Sequence, residues 1–167
     1  EFLPSGEVKA EKVQLSPEAL RVLNSNFMLF FTGVSRSSSS ILKEQTHNMK
    51  DHRAELREIK QMAWQARCDI EQGNFDTLGA LIHQSWELKK RLAGTISNEH
   101  INTMYETARR AGAIGGKLTG AGGGGFLLLY VPYEYQNKVR AALHGLQELP
   151  FRLEADGTKV IFNYRRS

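Results

Sequence analysis

The sequence predicts an α+β domain, an antiparallel sheet of about four strands with helices packed on one face. Three observations predict it. Apolar residues recur at helical spacing over residues 52–111. Two short apolar runs, 27–32 and 126–131, have the length of buried strands. Near the end, Phe151, Leu153 and Ala155 alternate, Asp156-Gly157 is a two-residue turn signal, and Val160, Phe162 and Tyr164 alternate again, the pattern of a terminal β-hairpin.

Taken in order, Ser16-Pro17-Glu18 opens a helix with a capping hydroxyl, a proline at the first helical position and an acid in the first turn. This helix should end near Asn24. The strand at 27–32 stops at Gly33. Ser35-Arg36-Ser37-Ser38-Ser39-Ser40 follows and has two readings. One serine caps the helix that continues through Ile41, Leu42 and Gln45; alternatively, free N–H groups, hydroxyls and Arg36 hold a phosphate. Leu56, Ile59, Ala63, Ala66 and Ile70 then form an apolar stripe. Gly73-Asn74 separates it from a helix with Leu78, Leu81, Ile82, Trp86 and Leu92 inward. Gly94 ends that helix, and Ser97 caps a third carrying Ile101, Met104, Tyr105, Ala108 and Ala111. The aromatic residues and methionines of these helices belong to the core, and Cys68 reads as a small packing residue. Pro132 opens a last helix with Val139, Ala142, Leu143 and Leu146 on one side.

Residues 112–125 hold eight of the chain's 15 glycines and lead directly into the apolar run at 126–131. Glycine loses more freedom on folding than any other residue, so Gly122 to Gly125 in succession imply positive φ or close approach by a ligand or another backbone. Consecutive N–H groups can also form a concave anion site. A Walker A loop is excluded, since Leu118 follows Gly116-Lys117 and Ala111 stands where a glycine is needed. Gly120, Gly122 and Gly125 satisfy G-x-G-x-x-G, but the strand follows the glycines instead of preceding them, which excludes dinucleotide binding. A tight strand connection beside a packed helix is the plain alternative.

Net charge is +4, too mild to demand a nucleic-acid partner. The clusters Lys89-Lys90-Arg91, Arg109-Arg110 and Arg165-Arg166 suit solvated faces or helix C-termini, or attraction of an anionic substrate. One cysteine excludes an intrachain disulfide, and the five histidines lack metal-ligand spacing. No apolar run is long enough to span a bilayer. We expect a cytoplasmic protein without membrane association.

The stretch from Lys117 to Phe126 (KLTGAGGGGF) resembles the third signature motif of the GHMP small-molecule kinases, in which a glycine loop leads into a strand of the C-terminal domain. EFLPSGEV at 1–8, FFTGVSRS at 30–37, ILKEQ at 41–45 and PFR at 150–152 resemble the branch acting on D-glycero-D-manno-heptose 7-phosphate; L-fucose kinases have a similar glycine loop. The resemblance implies a ferredoxin-like core and ATP-dependent, magnesium-assisted phosphoryl transfer to a sugar hydroxyl. It implies that Thr119, Gly120, Ala121, Gly122, Gly123 and Gly124 border the nucleotide, and that Ser35, Arg36 and Lys117 bind the sugar phosphate. Lys117 is equally readable as a solvent-facing strand residue. The ATP-cradling and Asp-Gln signatures are not in this sequence, so no catalytic residue is assigned. The chain is expected to be a C-terminal half: 1–24 closes the N-terminal kinase domain, 25–167 forms the C-terminal domain, and ATP and Mg are held mainly by the N-terminal half. The alternatives are another GHMP sugar kinase or a non-catalytic binding module of the same descent.

Overall fold

A computed structural model describes residues 1–154 and residue 160. Helix α1 (Pro17–Ser25) begins as its sequence requires: the Ser16 hydroxyl accepts the Ala19 N–H at 3.1 Å and Pro17 takes the first turn. Strand β1 (Phe27–Phe31) follows, then four helices: α2 (Ser38–Asn48), α3 (Arg53–Gln72), α4 (Phe75–Leu92) and α5 (Glu99–Arg110). Between α3 and α4, Gly73 has φ 74°, and the Asn74 N–H returns to the Asp69 carbonyl at 2.8 Å. Strands β2 (Gly115–Leu118) and β3 (Phe126–Tyr130) form a hairpin. A single 3₁₀ turn (Tyr133–Tyr135) leads into α6 (Gln136–Ala142), and β4 (Gln147–Glu148) completes the sheet.

The sheet is antiparallel with order β2-β3-β1-β4. That is the ferredoxin-like arrangement, a split β-α-β pair with β3 between β1 and β2. Alternation places Met28, Phe30, Leu118, Leu127 and Leu129 on one face, where they pack with Trp86, Ile96, Ile101, Tyr105 and Val139 into the main core. Each such large apolar side chain contributes about 1.5–3 kcal/mol on full burial. A second cluster joins Leu23, Phe75, Leu78 and Tyr130 at the end of the sheet, with Phe27 and Ile70 against it. The Tyr130 hydroxyl donates to Asp76 Oδ1 at 3.0 Å and accepts from Asn26 Nδ2 at 2.9 Å, so one phenol ties β3, α4 and the start of β1.

Several expectations need correction. Asn98, not Ser97, caps α5, because it holds the extended position next to the helix and accepts the Ile101 N–H at 3.0 Å. Ser97 instead donates to Asn102 Oδ1. Cys68 is exposed. It lies off the stripe that continues through Ala66 and Ile70, and Asp69 is buried instead, accepting from Gln65 Nε2 at 3.0 Å. Trp64 is exposed for the same angular reason. Helix α6 ends at Ala142, before Leu143 and Leu146. Residues 151–154 carry no strand, although the Leu153 N–H bonds to Asn24 Oδ1 at 2.7 Å. Ala155, Asp156, Gly157, Phe162 and Tyr164 of the expected hairpin lie outside the described residues.

Strand β2 lies in the glycine-rich segment, where only Lys117 was readable as a strand residue, and Lys117 is half-buried instead of facing solvent. The first residue of β2 needs to be glycine because a Cβ there would overlap the Gly79 carbonyl of α4 and stand 2.9 Å from the His83 nitrogen. A Cβ at Gly120 meets nothing within 4 Å, though its φ is 75°. Gly115→Ala should therefore destabilise by about 3 kcal/mol or more, at the upper end of overpacking. Gly120→Ala should cost only about 1–2 kcal/mol of left-handed strain. Urea unfolding of the two variants decides; equal midpoints would refute the close approach as the reason for Gly115.

Candidate functional site

Because β2 and β3 are antiparallel neighbours, residues 119–125 form a hairpin connection, closed where the Thr119 N–H meets the Phe126 carbonyl at 2.9 Å. Gly120, Gly122, Gly123 and Gly125 all have φ between 75° and 116°, a region other residues rarely enter. The loop folds back onto two segments of its own chain. The Gly125 N–H donates to the Val34 carbonyl at 2.6 Å, while the Thr32 amide and hydroxyl both donate to the Gly125 carbonyl at 2.9 Å. The Gly123 N–H donates to the Ile96 carbonyl at 2.8 Å.

Side chains are excluded by these same neighbours. An added Cβ would lie 2.7 Å from the Ile96 oxygen at Gly122 and 2.6 Å from the Val34 oxygen at Gly124. At Gly123 it would lie 2.6 Å from Ile41 Cδ1 and 3.4 Å from Arg36 Cδ. Backbones do converge here, and those identified belong to this chain. The segment 94–96 is itself pinned: Glu44 of α2 accepts the Gly94 N–H at 2.9 Å through Oε1 and the Thr95 hydroxyl through Oε2.

With Thr119, Gly123 and Gly125 tied, the amides of Gly120, Ala121, Gly122 and Gly124 make no hydrogen bond within the described residues. Cations flank them. Arg36 is exposed beside Gly123, one residue after the exposed Ser35. Ser37 precedes α2 without a side-chain cap bond; its hydroxyl pairs with that of Ser39 at 2.8 Å. Lys117 is half-buried and shares a face of β2 with Gly115, the face toward α4.

Lys89 completes the group and was not assigned from sequence. Its Nζ donates to the Gly120 carbonyl at 2.8 Å. Burial, then the nearby Lys117 ammonium, hold its pKa below the ordinary lysine value. In the run Lys89-Lys90-Arg91, Lys90 pairs with Glu87 at 2.7 Å, and Arg91 stands near Glu55, whose pKa is lowered first by a backbone hydrogen bond, then by His52 and least by Arg91. Only Lys89 turns to the loop, and only the placement of α4 along β2 distinguishes it. The structure thus gathers Arg36, Lys117, Lys89 and residues 119–124 around one loop of free N–H donors. Such a set has the donors and the charge to meet anionic oxygen. A groove between the N-terminal arm and α3, lined by Phe2, Trp64, Arg67 and Ile70, shares no residue with it.

Glu44→Ala should free Gly94 and Thr95 and loosen the seat of the loop, at a cost of about 1.5 kcal/mol, the lower end for hydrogen bonds to a charged group because both donors are exposed. Amide exchange at Gly123 and Gly125 should accelerate by at least about tenfold, the equivalent of about 1.4 kcal/mol. Unchanged exchange there would show that Glu44 does not support the loop.

Residues 66–148 match the family model for the GHMP kinases C terminal. The D-glycero-alpha-D-manno-heptose 7-phosphate kinase of Campylobacter jejuni is 27% identical over 144 residues, 84% of this chain and 42% of that protein. The L-fucokinase/L-fucose-1-P guanylyltransferase of Bacteroides fragilis is 30% identical over 106 residues, 61% of this chain and 11% of that protein. This chain therefore spans less than half the length of either. Among solved structures, a D-glycero-D-manno-heptose 1-phosphate kinase from Bacteroides thetaiotaomicron superposes with a TM-score of 0.58 at 22% identity, covering 90% of this chain and 40% of that one. The L. major mevalonate kinase gives 0.64 at 18% identity, covering 73% and 40%. At such identities these structures speak for the fold alone. Residues 66–148 thus match the C-terminal domain of the GHMP kinases by sequence, and the chain has the fold of their solved structures.

Proposed function

We propose that this chain is the substrate-side half of an ATP-dependent sugar kinase that phosphorylates D-glycero-D-manno-heptose 7-phosphate. The observation that carries the reading is the glycine loop, whose untied amides and three flanking cations suit phosphate oxygens. The similarity to the Campylobacter jejuni heptose phosphate kinase covers 84% of the chain, against 61% for the fucokinase, which favours a heptose phosphate acceptor over fucose. In this reading residues 1–24 end a preceding kinase domain, 25–167 form the C-terminal domain, and the enzyme works in the cytoplasm. No helix among the described residues is long and apolar enough to cross a membrane.

Phosphoryl transfer needs positioning and charge stabilisation more than covalent assistance. Magnesium and ATP, when bound, supply the transferred group and neutralise its charge. The loop suits the nucleotide's phosphates; for magnesium, no cluster of three or more acids, histidines or cysteines among the described residues could hold a metal ion. The roles left to this chain are to present the amides of Gly120, Ala121, Gly122 and Gly124 and the exposed Thr119 hydroxyl, to keep Arg36 and Lys117 beside them, and to hold the loop rigid. The exposed Leu42 on α2, Met49 just after it and Trp64 on α3 offer apolar surface to the preceding domain.

The test is transfer from Mg·ATP to D-glycero-D-manno-heptose 7-phosphate by the complete protein that contains this chain. Turnover of fucose in place of the heptose phosphate would keep a GHMP sugar kinase and reject the branch; inactivity across a sugar panel would leave a non-catalytic module. In the active enzyme, Thr119→Val should lower kcat by about ten- to a hundredfold, as for a hydrogen bond to a charged group of about 1.5–3 kcal/mol. An unaltered kcat would remove Thr119 from the site.

A further inference from the structure

Two lysines from different elements lie near the Gly120 corner of the glycine loop. Lys89, in the last turn of α4, donates to the Gly120 carbonyl at 2.8 Å. Lys117, on β2, faces α4 and lies close enough to disfavour the Lys89 charge. Neither ammonium has a carboxylate partner among the described residues, and Lys117 makes no hydrogen bond there. Their sequence neighbour Lys90 does have one, in Glu87. Two like charges near one another on half-buried stems disfavour each other until an anion joins them. A lone amine–carbonyl bond accounts for Lys89 but leaves Lys117 without a role.

We propose that Lys89 and Lys117 form a subsite for a phosphate monoester dianion at the Gly120 corner, and that the phosphate is the one the acceptor sugar already carries. A dianion between two ammonium groups is held by charge-assisted hydrogen bonds. The untied Gly120 and Ala121 amides lie next to it along the chain and can add donors. Arg36, at the Gly123 end of the loop, remains for a second anionic group. The assignment rests on the kinase reading and makes the pair a specificity device, since an unphosphorylated sugar would leave the two cations facing one another.

Lys89→Met and Lys117→Met should each raise KM for D-glycero-D-manno-heptose 7-phosphate by about tenfold or more. KM for ATP and for the unphosphorylated heptose should stay within about twofold of the parent. Lys117→Arg should recover much of the loss. A rise in KM for ATP alone would show that the phosphate held there is the nucleotide's and overturn the assignment. An active parent whose KM for heptose phosphate ignores both substitutions would overturn the subsite while leaving the kinase reading intact. Should the parent not act on heptose phosphate, the heptose reading fails by itself. Inorganic phosphate titrated into this chain, followed by NMR of the lysine Cε groups, then decides the subsite: shifts confined to Lys89 and Lys117 support it, and their absence overturns it.

Discussion

Everything around the candidate site depends on α4 lying against β2 at backbone contact. The Gly79 carbonyl occupies the space where a Cβ of Gly115 would be, and Gly79 itself has no room for a side chain, since its Cβ would stand 2.5 Å from the Tyr130 ring. Glycine is therefore required on both partners, and the helix sits as close to the strand as the fold allows. From Gly79 to Lys89 a helix advances about 15 Å; from Gly115 to Gly120 an extended chain advances about 16–17 Å. The two contacts are thus opposite ends of one parallel seam, and the packing that brings Gly79 to Gly115 also delivers Lys89 to the Gly120 carbonyl. Tyr130 fixes the seam at its start through Asp76 and Asn26. A shift of α4 by one residue would break the glycine contact, the phenol bridge and the lysine contact together.

This geometry explains which parts of the molecule were legible in the sequence. Helices α3, α4 and α5 and strands β1 and β3 follow from apolar spacing, because burial selects side chains at fixed periods. Strand β2 does not. Gly-Gly-Lys-Leu has a single large apolar residue, and its strand conformation is imposed by pairing with β3 and contact with α4, neither of which is local. Two-residue β4 is set in the same way, by pairing with β1. The loop was recognisable as a candidate site because glycines in succession need a reason, yet that reason was only half visible. The backbones that forbid side chains at Gly122 and Gly124 come from Ile96 and Val34, far away in sequence. Lys89 was illegible because Lys89-Lys90-Arg91 looks like an ordinary cationic helix end; its orientation is decided by tertiary placement.

Four glycines in succession would ordinarily make a floppy loop, and a floppy loop is a poor phosphate site, because its donors must be ordered at the moment of binding. Here the amides alternate in use. Gly123 and Gly125 give their N–H groups to Ile96 and Val34, which anchors the chain at every second residue, while Gly122 and Gly124 between or before those anchors keep theirs free. The positive φ angles that only glycine adopts easily make this alternation possible. Glu44 extends the same logic outward, since its two oxygens hold the 94–96 segment that receives the loop. The glycines therefore serve rigidity: they let the backbone approach its own chain closely enough to be fixed, so that the remaining donors are already ordered. A loop built this way can stabilise charge as it develops on a phosphate without reorganising, which is what electrostatic catalysis of phosphoryl transfer requires.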